Sequence, residues 1–285
     1  VEYILEVYNL SKKYPHSEFH LKDISFNIPK GSIVGFIGEN GAGKTTTIGT
    51  ILDSLKRDSG NIKIFEKEEP HNDIGVRESI GVVFDNMNFT HNISITQLSH
   101  VLNNIYKQWD KEKFFYYIDL FSLPKNGLVG RLSRGMSMKL SIAVALSHGA
   151  KLLLLDEATS GLDPVSREKV LSLLLDYVKD NQSSILLSSH ITSDIEKIAD
   201  YLLFMKNGEI ILKISKNDLL SKFSIIECNV DDLNNFRDIT FAYMYKSDSL
   251  IEVLISNKEN LPNHILQKET SLNEITLLLM KGERL

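Results

Sequence analysis

The run Ile33-Val-Gly-Phe-Ile37 passes directly into Gly38-Glu39-Asn40-Gly41-Ala42-Gly43-Lys44-Thr45, and no other segment restricts the fold as much. Five apolar or glycine residues read as a strand buried on both faces, which needs strands beside it and helices above and below. Gly38, Gly41 and Gly43 let the backbone curl after the strand, so that its N–H groups point at one place. The helix-forming stretch that follows adds the partial positive charge of a helix N-terminus. Together these features make a cradle for phosphate. Lys44 would reach the β- and γ-phosphates of a nucleotide, Thr45 could ligate Mg²⁺, and Thr46 could bond an α- or β-phosphate oxygen.

Further chemistry sits at the ends of other apolar runs. Leu152-Leu-Leu-Leu-Leu-Asp156-Glu157 is aliphatic until it stops at two acids. On a strand aimed at the cradle, Asp156 would lie over the metal, directly or through water. Glu157 would lie beside the γ-phosphate and act as general base on water, a role worth roughly 10²–10⁴-fold. The same acids could be solvated strand-end residues, and it is the phosphate loop that favours the catalytic reading. The next residues, Ala158-Thr-Ser-Gly-Leu-Asp163-Pro, form a tight turn in which Ser160 and Asp163 could sense a neighbouring subunit. Ile185-Leu-Leu-Ser-Ser-His190 ends in a histidine able to donate to the γ-phosphate. A lone strand-end histidine is more often structural, so both readings stand at this point.

Short apolar runs at 4–7, 24–28, 33–37, 62–65, 80–84, 152–155, 185–188, 201–205 and 209–212 alternate with helix-period segments. That pattern predicts an α/β fold with a substantially parallel sheet over residues 1–215. From about 88 to 148 the pattern turns to helix after helix, at 96–107, 111–121 and 137–147, which reads as a helical insertion. Past residue 215 strands at 225–230, 241–245 and 250–255 read as half-exposed, and 271–280 reads as a closing helix. This makes residues 216–285 a small α+β domain near the lower size limit for folding alone. It is expected to lean on the flank of the first domain or on a twin.

Composition excludes several classes. A net charge of −5 leaves no electrostatic footprint for nucleic acid. The single cysteine, Cys228, rules out a disulfide framework and reads as a small buried residue. No run approaches the roughly 20 apolar residues that span a bilayer, and the opening residues lack a basic then apolar signal segment. The expectation is a cytosolic or peripheral protein.

The order of these motifs resembles one family, the nucleotide-binding subunits of ABC transporters. Leu132-Ser133-Arg134-Gly135-Met136 is similar to the family signature L-S-G-G-Q, which other P-loop enzymes lack. A P-loop kinase or GTPase would also need an acceptor or guanine site, and none is visible. The resemblance covers about residues 3–215. It implies an ATPase working as a head-to-tail dimer with Mg²⁺, in which each ATP lies between the phosphate loop of one copy and Ser133 and Gly135 of the other. The residues favour a homodimer, since each copy carries a full set. It also implies a separate membrane-spanning permease, a location at the cytoplasmic face of a bacterial membrane, and Tyr14 as the aromatic that stacks on adenine. A soluble relative acting on ribosomes or DNA would usually carry two cassettes, a coiled coil or a basic arm.

Four positions depart from the family. Ile80-Gly-Val-Val-Phe-Asp85 puts Asp85 where Gln is usual, a residue that could still hold Mg²⁺ or its water. Arg134 and Met136 replace Gly and Gln of the signature, and Ala158 replaces Pro. The Phe-Asp pair, the Ser-Arg-Gly-Met signature and the tail from Thr270 to Gly282 resemble a Gram-positive branch that exports antimicrobial or amphipathic peptides. Trp109 and Phe114-Phe115-Tyr116-Tyr117 fall in the insertion, where this family meets its permease; they read either as a docking groove or as the insertion's own core.

Overall fold

The computed structural model describes residues 1–68, 70–85, 89–256, 267–268 and 270–284. The expected first residue of the insertion, 88, lies outside them, as does 285. β1 (Tyr3–Lys13) and β2 (His20–Pro29) are paired antiparallel, and β3 (Ile33–Ile37) leads through the glycine loop into α1 (Lys44–Ile51). β4 (Ser59–Ile64), β5 (Lys67–Glu68), α2 (Ile74–Glu78) and β6 (Ile80–Val83) follow. Three helices come next, α3 (Ile95–Ile105), α4 (Lys111–Leu120) and α5 (Arg134–Ala145). Strands and helices then alternate as β7 (Leu152–Asp156), α6 (Pro164–Asn181), β8 (Ser184–Ser189), α7 (Thr192–Ile198), β9 (Tyr201–Lys206) and β10 (Glu209–Ser215). The last elements are α8 (Lys216–Lys222), β11 (Phe223–Asn229), β12 (Thr240–Tyr245), β13 (Leu250–Ser256), β14 (Gln267–Lys268) and α9 (Leu272–Lys281).

The parallel sheet runs β10-β9-β3-β8-β7-β6, with β10 antiparallel at the edge. The early runs do not join it. β1, β2, β4 and β5 make a separate antiparallel sheet in the order β2-β1-β4-β5. Only a short loop joins β1 to β2, enough for antiparallel pairing and too short for a parallel crossover.

Alternation inside wholly apolar strands builds two cores. Ile33, Ile37, Leu153, Leu155, Ile185, Leu187, Leu202 and Phe204 face α3 to α7 in one. Val34, Phe36, Leu152, Leu154, Leu186 and Leu203 face the antiparallel sheet in the other. Every one of these side chains is at most 2% exposed, which is why the strands carry no polar face. Glycines mark where helices come closest. A Cβ on Gly35 would lie 2.3 Å from Ile195 of α7, and one on Gly81 would lie 3.0 Å from the Ala145 carbonyl at the end of α5.

In the helical region, α3 starts at a capping box in which Ser94 and Gln97 bond each other's backbone N–H. α5 starts earlier than its apolar period suggests, because the Ser133 hydroxyl accepts from the Met136 N–H and caps it. The aromatics there are mostly committed to their own core. Phe114 and Tyr117 are buried, Trp109 packs on Tyr106 and Phe114, and Tyr116 is the exposed member of the quartet.

Of the strands beyond 215, β11 and β12 keep partly exposed positions as expected, while β13 is more buried than a half-exposed strand would be. β11 to β14 form an antiparallel sheet in the order β12-β13-β11-β14. Its Ile226, Ile251, Val253 and Ile255 pack under Leu233 and Phe236, which covers the face expected to be wet. The opposite face, with Phe223, Ile225 and Leu254, joins the core of the first domain through Leu272, Ile275, Leu278 and Leu279 of α9. α9 rests on α7, β9, β12 and β13. The flank of the same chain, one of the two supports expected from sequence, is engaged.

This shared core predicts joint unfolding. Ile275→Ala should cost about 2–5 kcal/mol. The urea transition of Trp109, the only tryptophan, should move with it although Trp109 lies in the helical region. An unmoved Trp109 transition would mean that the module unfolds independently. A chain ending at residue 215 should aggregate, since it bares the α7 side of that core.

Candidate functional site

Parallel pairing brings three strand ends to one edge of the sheet. Ile37 stands opposite Ser189, and Asp156 stands opposite Ser188. The residues that follow, Gly38, His190 and Glu157, therefore leave the sheet side by side.

The loop after β3 takes the left-handed backbone at Gly41 (φ +82°) and Gly43 (φ +115°), which a side chain would resist. A Cβ at Gly43 would also lie within 3 Å of Met205, Leu21 and the Phe19 ring. The N–H of Gly208, in the β9–β10 turn, donates to the Ala42 carbonyl at 3.0 Å and holds the loop from outside. Lys44 is only 5% exposed. Its Nζ donates to the carbonyls of Gly38 (2.7 Å) and Glu39 (3.2 Å), so the ammonium is held at the mouth of the loop.

The acids are arranged around it. Asp156 accepts from the Thr45 hydroxyl at 2.6 Å through one oxygen and from Ser188 at 2.5 Å through the other. Glu157 has φ +55°, a conformation imposed where its N–H donates to the Ser188 carbonyl at 3.1 Å. Its Oε1 lies 3.7 Å from the Lys44 Nζ, and its Oε2 lies 2.7 Å from His190 Nδ1. Oε1 is buried and accepts no hydrogen bond from the described residues. Lys44, Glu157 and His190 thus meet in one place, and Thr45 meets Asp156 beside them.

A cavity of about 360 Å³ opens here, lined by Phe19, most of the loop between residues 39 and 46, and Glu157. Its size suits a small ligand. Tyr14 stands at its margin, with its hydroxyl 3.4 Å from Thr46 Oγ1 and the Lys12 ammonium 5.6 Å from its ring. Neither Ser133 nor Gly135 lines the cavity. They sit instead at the head of α5, where a Cβ on Gly135 would lie 3.3 Å from the Gly161 carbonyl in the turn after β7. In that turn Asp163 caps α6, and hydrogen bonds from Ser166 hold its carboxyl below the usual carboxylate range.

Asp85 is engaged elsewhere. Its carboxylate pairs with Arg134 at 2.5 Å, so two of the four departures from the family pattern contact each other. A metal would compete with Arg134 for that carboxylate oxygen. Three contributors were not legible from the sequence. Ser188 fixes Asp156, and its signal was the polar residue ending an apolar strand. Phe19 walls the cavity from an irregular segment that carries no periodicity. Arg134 acts as the Asp85 partner across 49 residues of chain, and no local pattern reports that.

The chain also matches known proteins. The family profile for ABC transporters matches residues 21–160. The bacitracin transport ATP-binding protein BcrA of Bacillus licheniformis is 33% identical over 214 residues, 74% of this chain and 69% of that protein. The lantibiotic transport ATP-binding protein SrtF of Streptococcus pyogenes is 31% identical over 212 residues, 74% of this chain and 90% of that one. A dimeric ATP-binding cassette solved after hydrolysis with ADP and phosphate superposes with a TM-score of 0.66 over 74% of this chain and 98% of its own. At 21% identity that last likeness bears on the fold alone. The cradle, the acids beside it and these relatives agree: the chain belongs to the ABC transporter family as an ATP-binding subunit, and it is an ATPase.

Proposed function

We propose that this ATPase works as a head-to-tail pair of identical copies with Mg-ATP between them, and that it drives export of peptide or amphipathic cargo through a separate membrane-spanning permease. The observation that carries the reading is the Lys44–Glu157–His190 constellation beside a phosphate loop, with Ser133 and Gly135 outside the same cavity. One chain therefore offers two separate anion-binding halves. A second copy, inverted, would close each nucleotide between a loop and the capped N-terminus of α5. The cargo class rests on relatives named for bacitracin and lantibiotic transport. Among the described residues no helix is long and apolar enough to cross a membrane, and the permease is accordingly proposed as a separate chain. The membrane face proposed for it is the cytoplasmic one, on the strength of the family it belongs to.

Roles follow from the geometry. The loop and Lys44 would bind the phosphates, and Tyr14 would stack on adenine. Glu157 would take the proton of the attacking water at Oε1, the buried oxygen that accepts no hydrogen bond from the described residues. His190, bonded to the other oxygen, would orient that carboxylate and donate to the γ-phosphate. Mg²⁺, when bound, neutralises charge on the β- and γ-phosphates. Thr45 and Asp156 would hold it, and their all-oxygen donor set suits a hard cation that keeps several waters. None of the described residues beyond His190 lines this cavity, and the region after 215 is read as accessory, outside the nucleotide site.

Glu157→Gln should lower turnover by at least about 10²-fold while leaving the ATP dissociation constant unchanged. Mg-ATP should then trap a dimer on size-exclusion chromatography. Hydrolysis within about threefold of the parent would remove Glu157 as the base.

The Asp85–Arg134 pair makes a second, separable prediction. If Asp85 helps hold the metal once freed, Arg134→Gln should lower the Mg²⁺ concentration for half-maximal hydrolysis, and Asp85→Asn should raise it. Two unchanged Mg²⁺ titrations would restrict Asp85 to its ion pair.

A further inference from the structure

His190 owes its position to two supports, the end of β8 before it and the start of α7 after it. Its imidazole is half exposed and bonded to Glu157, so the backbone on either side decides where it stands. The β8 support is rigid, being a central strand paired on both sides. The α7 support is not rigid by itself. α7 has seven residues, and Ile191 at its N-cap supplies no side-chain cap. A helix this short has little stability of its own and takes its position from its neighbours.

Those neighbours can be named. Beneath α7, Ile195 seats on the bare backbone of Gly35. On one side α6 contributes two ion pairs. Arg167 lies 3.8 Å from Asp194, which is 2% exposed, and Arg167 also donates to the Leu162 carbonyl in the turn after β7. Glu168 pairs with Lys197. On the other side stands α9. Its Leu272, Ile275 and Leu279 share one core with Ile195 and Ile198. The Thr192 hydroxyl, at the first position of α7, donates to Asn273 Oδ1 at 3.0 Å. That bond lies two residues from His190. The module carrying α9 is fixed in turn, because Lys206 donates to the Gly282 carbonyl and Arg284 to the Ile211 carbonyl.

We propose that α9 is a positioning element for His190, with Asn273 the positioning residue through which the C-terminal module sets the rate of hydrolysis without touching nucleotide. The proposal rests on the reading of His190 and Glu157 given above. Asn273 reaches the first turn of α7 from outside the nucleotide site, and losing the bond lets that turn, and the loop before it, drift. Binding should be spared, because no cavity-lining residue lies on α7 or α9. Turnover should not be, because the Glu157–His190 contact at 2.7 Å depends on where that loop stands.

The test is ATPase kinetics of the full chain with four variants. Asn273→Ala should lower kcat about three- to tenfold, the scale of one net hydrogen bond, with the ATP dissociation constant within about twofold of the parent. Asn273→Asp keeps an acceptor oxygen in the same place and should restore kcat. Asn273 is exposed, so neither change should disturb folding, and equal urea midpoints would check that. On a His190→Ala background, itself expected to be strongly impaired, Asn273→Ala should have no further effect, because its influence passes through His190. Parental kcat in Asn273→Ala beside an impaired His190→Ala would overturn the positioning role alone. An additive loss on the His190→Ala background would overturn it as well. Parental activity in His190→Ala would overturn the reading of the site and this inference with it.

Discussion

The hydrogen-bond ladder between β3, β8 and β7 is the constraint on which the rest depends. Parallel strands in register must end at the same edge, so three loops distant in sequence are delivered to one place by backbone pairing alone. Lys44, Glu157 and His190 come from those loops, which span about half the chain. A ladder buried on both faces has no freedom to slip, because a one-residue shift would turn every core side chain to the wrong layer. The apolar uniformity of the strands is thus what fixes the polar geometry at their ends.

The site concentrates costs that the ladder can bear. A buried ammonium without a partner would cost several kcal/mol, and Lys44 avoids this through two backbone carbonyls. The Glu157 carboxylate stands 3.7 Å away, too far for a hydrogen bond, so it attracts the cation without satisfying it. Glu157 also holds a left-handed backbone and one buried oxygen that accepts no hydrogen bond from the described residues, penalties of about 1–3 kcal/mol each. Such groups normally find partners in a folded chain. Unspent donor capacity on Lys44 and unspent acceptor capacity on Glu157 face the same cavity, which is the arrangement expected where phosphate and water are to be bound.

Most of this was legible in the sequence because the motifs are local. Glycines at 38, 41 and 43, the acids at 156 and 157 and the strand-end histidine each announce themselves within a few residues. The parallel sheet followed from apolar runs of strand length. What escaped were features decided by distance or by coverage. Nothing in 4–7, 24–28 and 62–65 says that these strands pair with one another and not with the central sheet; the short loop between β1 and β2 decides it. The alternation in 250–255 suggested a wet face, and Leu233 and Phe236, from an irregular segment, cover it. Phe19 and Ser188 contribute to the site through contacts that only the tertiary structure creates.

Asp85 and Arg134 illustrate the same limit, and their pairing makes sense of both. Taken alone, each looks like damage. Asp85 adds negative charge near the expected γ-phosphate, and Arg134 puts a cation at the first position of α5, where the helix dipole already carries positive charge. Together they neutralise each other, so the edge of β6 and the head of α5 keep the net charge that Gln and Gly would give. The pair is exposed, with side chains 35% and 60% accessible, and exposed pairs hold weakly. A weak contact between Asp85, just past β6, and the head of α5 can open when a stronger charge arrives. Phosphate is such a charge, since it carries more negative charge than one carboxylate and offers Arg134 the same paired oxygens.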